Sequence, residues 1–204
     1  MLWAVTQLDN VLYVVCRESS IIKTYTADTL SPLGEGIHVD GMRNPWDIVA
    51  CRHDGQLYVA DSDYIWRVSV DDHSYVKWRP STDSTTNGFL VDWLSLTSRG
   101  LLVTSPKSAV LREYSTVDGQ LQCVVELPRY MEALCHAVET TSQTFVVCYR
   151  DISQTDWRFA VSEPLRLCPS LRAVNGCLST KATHKFSSIS LLGRCKFSSY
   201  RFQR

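Results

Sequence analysis

Residues 57–60 read Leu57-Tyr58-Val59-Ala60, and this short apolar run has three echoes: Leu12-Tyr13-Val14-Val15, Leu101-Leu102-Val103-Thr104 and Phe145-Val146-Val147-Cys148. The four runs start 45, 44 and 44 residues apart. A fixed period of this size decides an architecture before any single residue does. Each run is rich in β-branched or aromatic residues and suits a strand covered on both faces.

The flanking residues keep the same register. An apolar stretch and a polar turn precede each run: Trp3-Ala4-Val5 then Asp9-Asn10; Trp46-Asp47-Ile48-Val49-Ala50 then His53-Asp54-Gly55; Leu94-Ser95-Leu96 then Ser98-Arg99-Gly100; residues 133–138 then 141–143. Glycine in the second and third of these turns is expected to supply the positive φ that tight hairpins use. A third, alternating strand follows at residues 21–25, 65–70, 110–114 and 157–161, and a fourth in three copies, as at Tyr75-Val76-Lys77-Trp78 and 121–127. Four short antiparallel strands per period of about 45 residues is the arithmetic of a propeller blade. A β-sandwich also uses short strands but demands no strict echo, and no stretch has the 3.6-residue period of a helical solenoid. The reading is an all-β, incomplete propeller over 1–163, with blades near 1–45, 46–90, 91–134 and 135–163.

Asn44-Pro45-Trp46-Asp47-Ile48, His53-Asp54-Gly55-Gln56-Leu57-Tyr58-Val59-Ala60-Asp61 and the closing Ile65-Trp66-Arg67-Val68 resemble an NHL repeat. The later two copies match less well: the third lacks the proline and the aspartate after its second strand, and the fourth has Tyr149 there. The resemblance implies a ring that closes with six blades, sometimes five, of which this chain supplies four. It is therefore expected to be a fragment or a variant transcript, its tail standing where further blades would be; the alternative is a complete protein with a partner-binding basic arm. In the tripartite-motif branch of the family, resemblance further implies a propeller that recognises the substrate of a ubiquitin ligase. The zinc modules of such a ligase are not in this sequence.

The net charge of zero conceals an asymmetry: up to Glu163 there are 13 basic and 21 acidic residues, and beyond it 8 basic and none acidic. Residues 164–204 have scattered leucines without a sustained period and are expected to be disordered and to pack on no blade. The eight cysteines are dispersed, several of them within apolar strands (Cys16, Cys51, Cys123, Cys135, Cys148), with no CxxC pair, so thiols rather than a disulfide framework or zinc site are expected. No basic leader, membrane-length apolar run or glycosylation sequon occurs, which makes the cytoplasm the expected compartment.

Catalytic readings find little. On the innermost strands only Asp47 and Asp92 are candidates for a channel metal, and two carboxylates do not make a calcium cage; the expected role of both is bonding to turn amides. The histidines (His38, His53, His73, His136, His184) do not share a repeat position, and no nucleophile-elbow motif occurs. We expect no cofactor, no metal and no enzymatic activity. A calcium-dependent propeller hydrolase that lost blades is the alternative, and an RNA-binding surface a further one, disfavoured by the net −8 of the repeats. The expected interaction surface is the loop face, formed by loops between second and third strands and between blades. Its candidate protein- or peptide-binding residues are Arg17, Arg43, Asp61, Arg79, Lys107, Arg129, Tyr130 and Arg150. Trp3, Trp46 and Trp93 are expected to pack between blades. The uncovered faces of the terminal blades are expected to promote self-association.

Overall fold

The computed structural model describes residues 1–62, 64–78, 93–105, 108–127, 131, 133–141, 144–150, 157–162 and 186–187. Every regular element among them is a strand. The first sheet holds β1 (Leu2–Leu8), β2 (Val11–Cys16), β3 (Ile21–Thr26) and β4 (Ile37–His38); the second β5 (Asp47–Cys51), β6 (Gln56–Ala60), β7 (Ile65–Ser69) and β8 (Tyr75–Trp78). The third holds β9 (Trp93–Leu96), β10 (Leu101–Ser105), β11 (Ser108–Tyr114) and β12 (Leu121–Glu126); the fourth β13 (Ala133–Glu139), β14 (Phe145–Arg150), β15 (Trp157–Ser162) and β16 (Phe186–Ser187). Each sheet is an antiparallel meander in chain order. The four echoing runs all lie in second strands, β2, β6, β10 and β14, as their spacing requires.

The inner strands stack in sequence: β1 touches β5, β5 touches β9, and β9 touches β13, whereas β1 and β13 do not meet. The described sheets thus form an open arc of blades. Strand alternation explains the seams. Leu57 and Val59 join a cluster with Tyr13 and Val15 of the first blade, while Tyr58 and Ala60 join another with Leu101 and Val103 of the third. Leu102 then joins Phe145, Val147 and Tyr149 of the fourth. A blade covered on both faces needs an unbroken apolar second strand, which is why the echo is so legible.

Polar groups close the same seams. Asp47 accepts the amide of Ile48 at 2.9 Å and, across the seam, that of Leu94 at 2.8 Å. Ser95 Oγ donates to the Ala137 carbonyl at 2.5 Å, and Glu139 accepts the Ser98 amide at 2.6 Å. The Tyr58 hydroxyl has its single hydrogen within reach of two acceptors, the Thr116 carbonyl across the seam and Asp54 Oδ2, each at 3.3 Å. Trp3 meets Trp46 edge-on with centroids 5.1 Å apart, and Trp93 lies 6.3 Å from the His136 ring, so the tryptophans do pack between blades.

One expectation is corrected. Within the segment 164–204, Phe186–Ser187 pairs antiparallel with β15, Ser187 opposite Val161 and Phe186 opposite Ser162, and completes the fourth sheet. Without it β15 would end the sheet with a row of unpaired backbone donors and acceptors, and two residues suffice to satisfy part of that edge. The expected disorder of the rest of 164–204 concerns residues outside those described.

Candidate functional site

Of the eight loop-face candidates, the structure brings two together, Arg43 and Asp61. Arg43 and Asn44 lie in the loop from blade one to blade two. Asp61 follows β6, and its Oδ2 accepts the Arg43 amide at 3.1 Å and Trp66 Nε1 at 3.2 Å, while Oδ1 accepts Asn44 N at 2.7 Å and Ser62 N at 2.9 Å. Asp61 is consequently buried. Its expected place among exposed partner-binding side chains is corrected: four N–H donors surround the carboxylate, which holds the loop and leaves the Arg43 side chain exposed. The loop is tied at further points, with Val39 N donating to the Ser20 carbonyl, Met42 N to Val39 and Trp46 N to Ala60, while Val39 and Met42 are buried. Gly41, at φ 88°, runs beside the Trp66 ring, where an added Cβ would come within 3.5 Å of it.

Arg17 is exposed at the neighbouring β2–β3 loop, its Nε 3.2 Å from Glu18, which takes a positive φ of 57°. Lys77 completes this side, with its ammonium 3.1 Å from the Tyr64 ring centroid. Arg150 closes β14 opposite Ala133 and Trp157. Arg79, Lys107, Arg129 and Tyr130 lie outside the described residues.

Sequence reasoning missed a line of polar groups on the rim between blades one and two. Ser20 Oγ is 3.1 Å from His38 Nε2, His38 Nδ1 is 3.0 Å from Asp40 Oδ1, and Tyr75 donates to Asp40 Oδ2 at 2.8 Å. The connectivity is that of a Ser-His-Asp triad, which is recognised by geometry rather than by order in the chain. Acyl transfer also needs preorganised oxyanion donors and a site shielded from water. Here the His38 and Asp40 side chains are 60% and 75% exposed. No spacing in the sequence signals the line, because Ser20 and His38 meet only through the pairing of β3 with β4.

At the inner strands, register places Asp47 level with Ala4, Trp93 and His136, since their partners Val15, Ala60, Thr104 and Cys148 correspond. Asp92 lies outside the described residues. Burial pushes the Asp47 carboxyl above its ordinary value against the lowering effect of its two amide donors and of His136. Both oxygens are occupied by amides, but the expected turn amides are corrected: the donors are the strand residues Ile48 and Leu94, and the bond to Leu94 spans a seam. Among the described residues no group of three or more His, Cys, Asp or Glu side chains is placed to hold a metal ion.

No family model matches the sequence, and no curated protein matches it. Solved structures do. The chain is similar to hydrazine synthase of Kuenenia stuttgartiensis at 11% identity and a TM-score of 0.60, over 78% of this chain and 45% of that one. It is similar to the Cps50 (Swd1) β-propeller domain of Myceliophteria thermophila at 11% identity and a TM-score of 0.59, over 83% and 54%. A chain of the mitotic checkpoint complex matches at 12% identity and a TM-score of 0.55, over 79% and 47%. The fold is that of a β-propeller, and the chain spans about half the length of these neighbours. At such identities the likeness shows fold alone.

Proposed function

We propose that this chain is a non-catalytic propeller module that binds a protein or peptide through its loop face. The observation that carries the reading is the Asp61 carboxylate with four N–H donors, two of them from the loop between blades one and two. A loop held this way has lost its freedom before any partner arrives, so binding costs less ordering entropy. It presents the exposed Arg43 side chain, and Lys77 lies over the aromatic pair Tyr64 and Trp66. Cations on a fixed backbone suit carboxylates of a peptide partner. Propeller-bearing assemblies among the structural neighbours, such as the mitotic checkpoint complex, support a protein-interaction role by analogy. The resemblance to NHL repeats makes substrate recognition for a ubiquitin ligase the finer form of this proposal, and the cytoplasm its setting.

Peptide display against the whole chain tests it. Enriched peptides are expected to carry acidic residues and to lose affinity at least tenfold on the double variant Arg17→Glu, Arg43→Glu. Failure to enrich any sequence, or enrichment indifferent to both substitutions, refutes the loop-face assignment.

A further inference from the structure

The arc ends in two faces that repeat its internal ones. Val5 lies opposite Val14 as Ile48 does opposite Val59, Leu94 opposite Val103 and Ala137 opposite Val147. These inner residues are 2%, 1% and 2% exposed; Val5 is 53% exposed. Leu12 is half-buried where Leu57, Leu101 and Phe145 are buried. At the other end Val146 is half-buried where Tyr13, Tyr58 and Leu102 are buried, and Val138 beside it is 45% exposed. Each terminal blade thus leaves open one face of the kind that every internal seam buries.

We propose that a second copy of this chain covers both, blade four of each stacking on blade one of the other to close a two-fold ring of eight blades. The contact continues an interface already made three times within the chain: the face turned to the next blade always meets the face turned to the preceding one. One chain carries one open face of each kind, so the pairing is head to tail, and head-to-tail contacts form rings when the rotation closes. Eight blades lie within the range of propeller rings. The chain spans 45% and 54% of two propeller chains that it resembles, so two arcs match one such length. The seam residues Val5 and Val138 are distinct from Arg17 and Arg43, so the ring and the loop-face reading stand or fall separately.

Sedimentation equilibrium of the 204-residue chain at micromolar concentration decides it. The expected mass is twice 23.1 kDa. Val5→Asp alone and Val138→Asp alone each halve it, because each variant spoils both seams. Mixing the two restores a dimer, since the intact blade four of one meets the intact blade one of the other. A monomeric wild type overturns the proposal; so does a Val138→Asp protein that stays dimeric, which would mean blade one pairs with itself, and so does open-ended growth. Circular dichroism checks that the variants keep their strands. If they do not, backbone exchange at Val14 and Val146 in the wild type must slow with rising concentration, and exchange independent of concentration overturns the ring equally.

Discussion

Asp61 shows what a loop position conceals. Its place after the second strand was legible, as was the Tyr-Val-Ala-Asp that leads to it, but whether its oxygens face water or the chain's own amides depends on a loop 17 residues upstream. Four donors converge because Arg43 and Asn44 cross the seam there. Asp61→Ala leaves the buried Trp66 Nε1 and three part-buried amides without their acceptor and should cost about 3 kcal/mol, read as a lower urea midpoint with unchanged slope; a loss within experimental error would mean water replaces the carboxylate. A second residue feature is Leu30, exposed and held at φ 55°. Left-handed backbone costs a side chain about 1 kcal/mol that glycine avoids, so Leu30→Gly should raise the melting temperature by a few degrees, and a drop would show that Leu30 makes a contact worth more than its strain. Ser20, finally, should not react with a fluorophosphonate probe under the non-catalytic reading; stoichiometric labelling at Ser20 that His38→Ala abolishes would make the chain a hydrolase instead.

The strands themselves were legible because alternation and a two-sided burial demand leave few residue choices. A second echo is present in the structure but not in the residue types. Thr26, Ser69 and Ser115 begin outer hairpins in which their amides donate to Ser31, Ser74 and Gln120 at 2.9, 2.8 and 2.9 Å, and Leu30, His73 and Gly119 hold corresponding positive-φ positions. The hairpins share a geometry and not a sequence, since serine, threonine and aspartate substitute for one another as turn acceptors. Hydrogen bonds from Ser69 and from the amide and hydroxyl of Ser74 hold the Asp72 carboxyl at about 2. Inner-strand register was less legible: Asp47 and Asp92 looked equivalent, but pairing sets Asp47 level with Trp93. That register makes Asp47 a clamp on blade three. Its carboxyl is raised from 3.8, mainly by burial, so the folded state holds its proton more tightly than the unfolded chain does. The group's contribution therefore falls as pH rises through the folded value. Asp47→Asn removes that titration, and the variant should gain on the wild type in urea unfolding as pH rises above 3.8. A wild type that instead gains on the variant as pH rises would show that the two amides, and not desolvation, govern the carboxyl.

At the scale of the molecule, stability in a stack of repeats is a sum of blade terms and seam terms, each blade leaning only on its neighbours. Blades two and three have two seams, blades one and four have one. Leu57 and Leu12 occupy the same repeat position and make the same strand pairing, yet Leu57 is fully buried while Leu12 is half-buried at an open face. Truncating a buried leucine removes both its transfer energy and the atoms around the cavity it leaves, about 3 kcal/mol, whereas a half-exposed one loses part of the first and little of the second, about 1 kcal/mol. In dilute solution Leu57→Ala should therefore cost about three times as much as Leu12→Ala by urea unfolding. Raising the concentration into the range where arcs pair buries Leu12 as the inner seams bury Leu57, and the two costs should converge. Equal costs at every dilution would mean that the face of blade one is already covered within a single chain, and the open arc would be the wrong description of the molecule in solution.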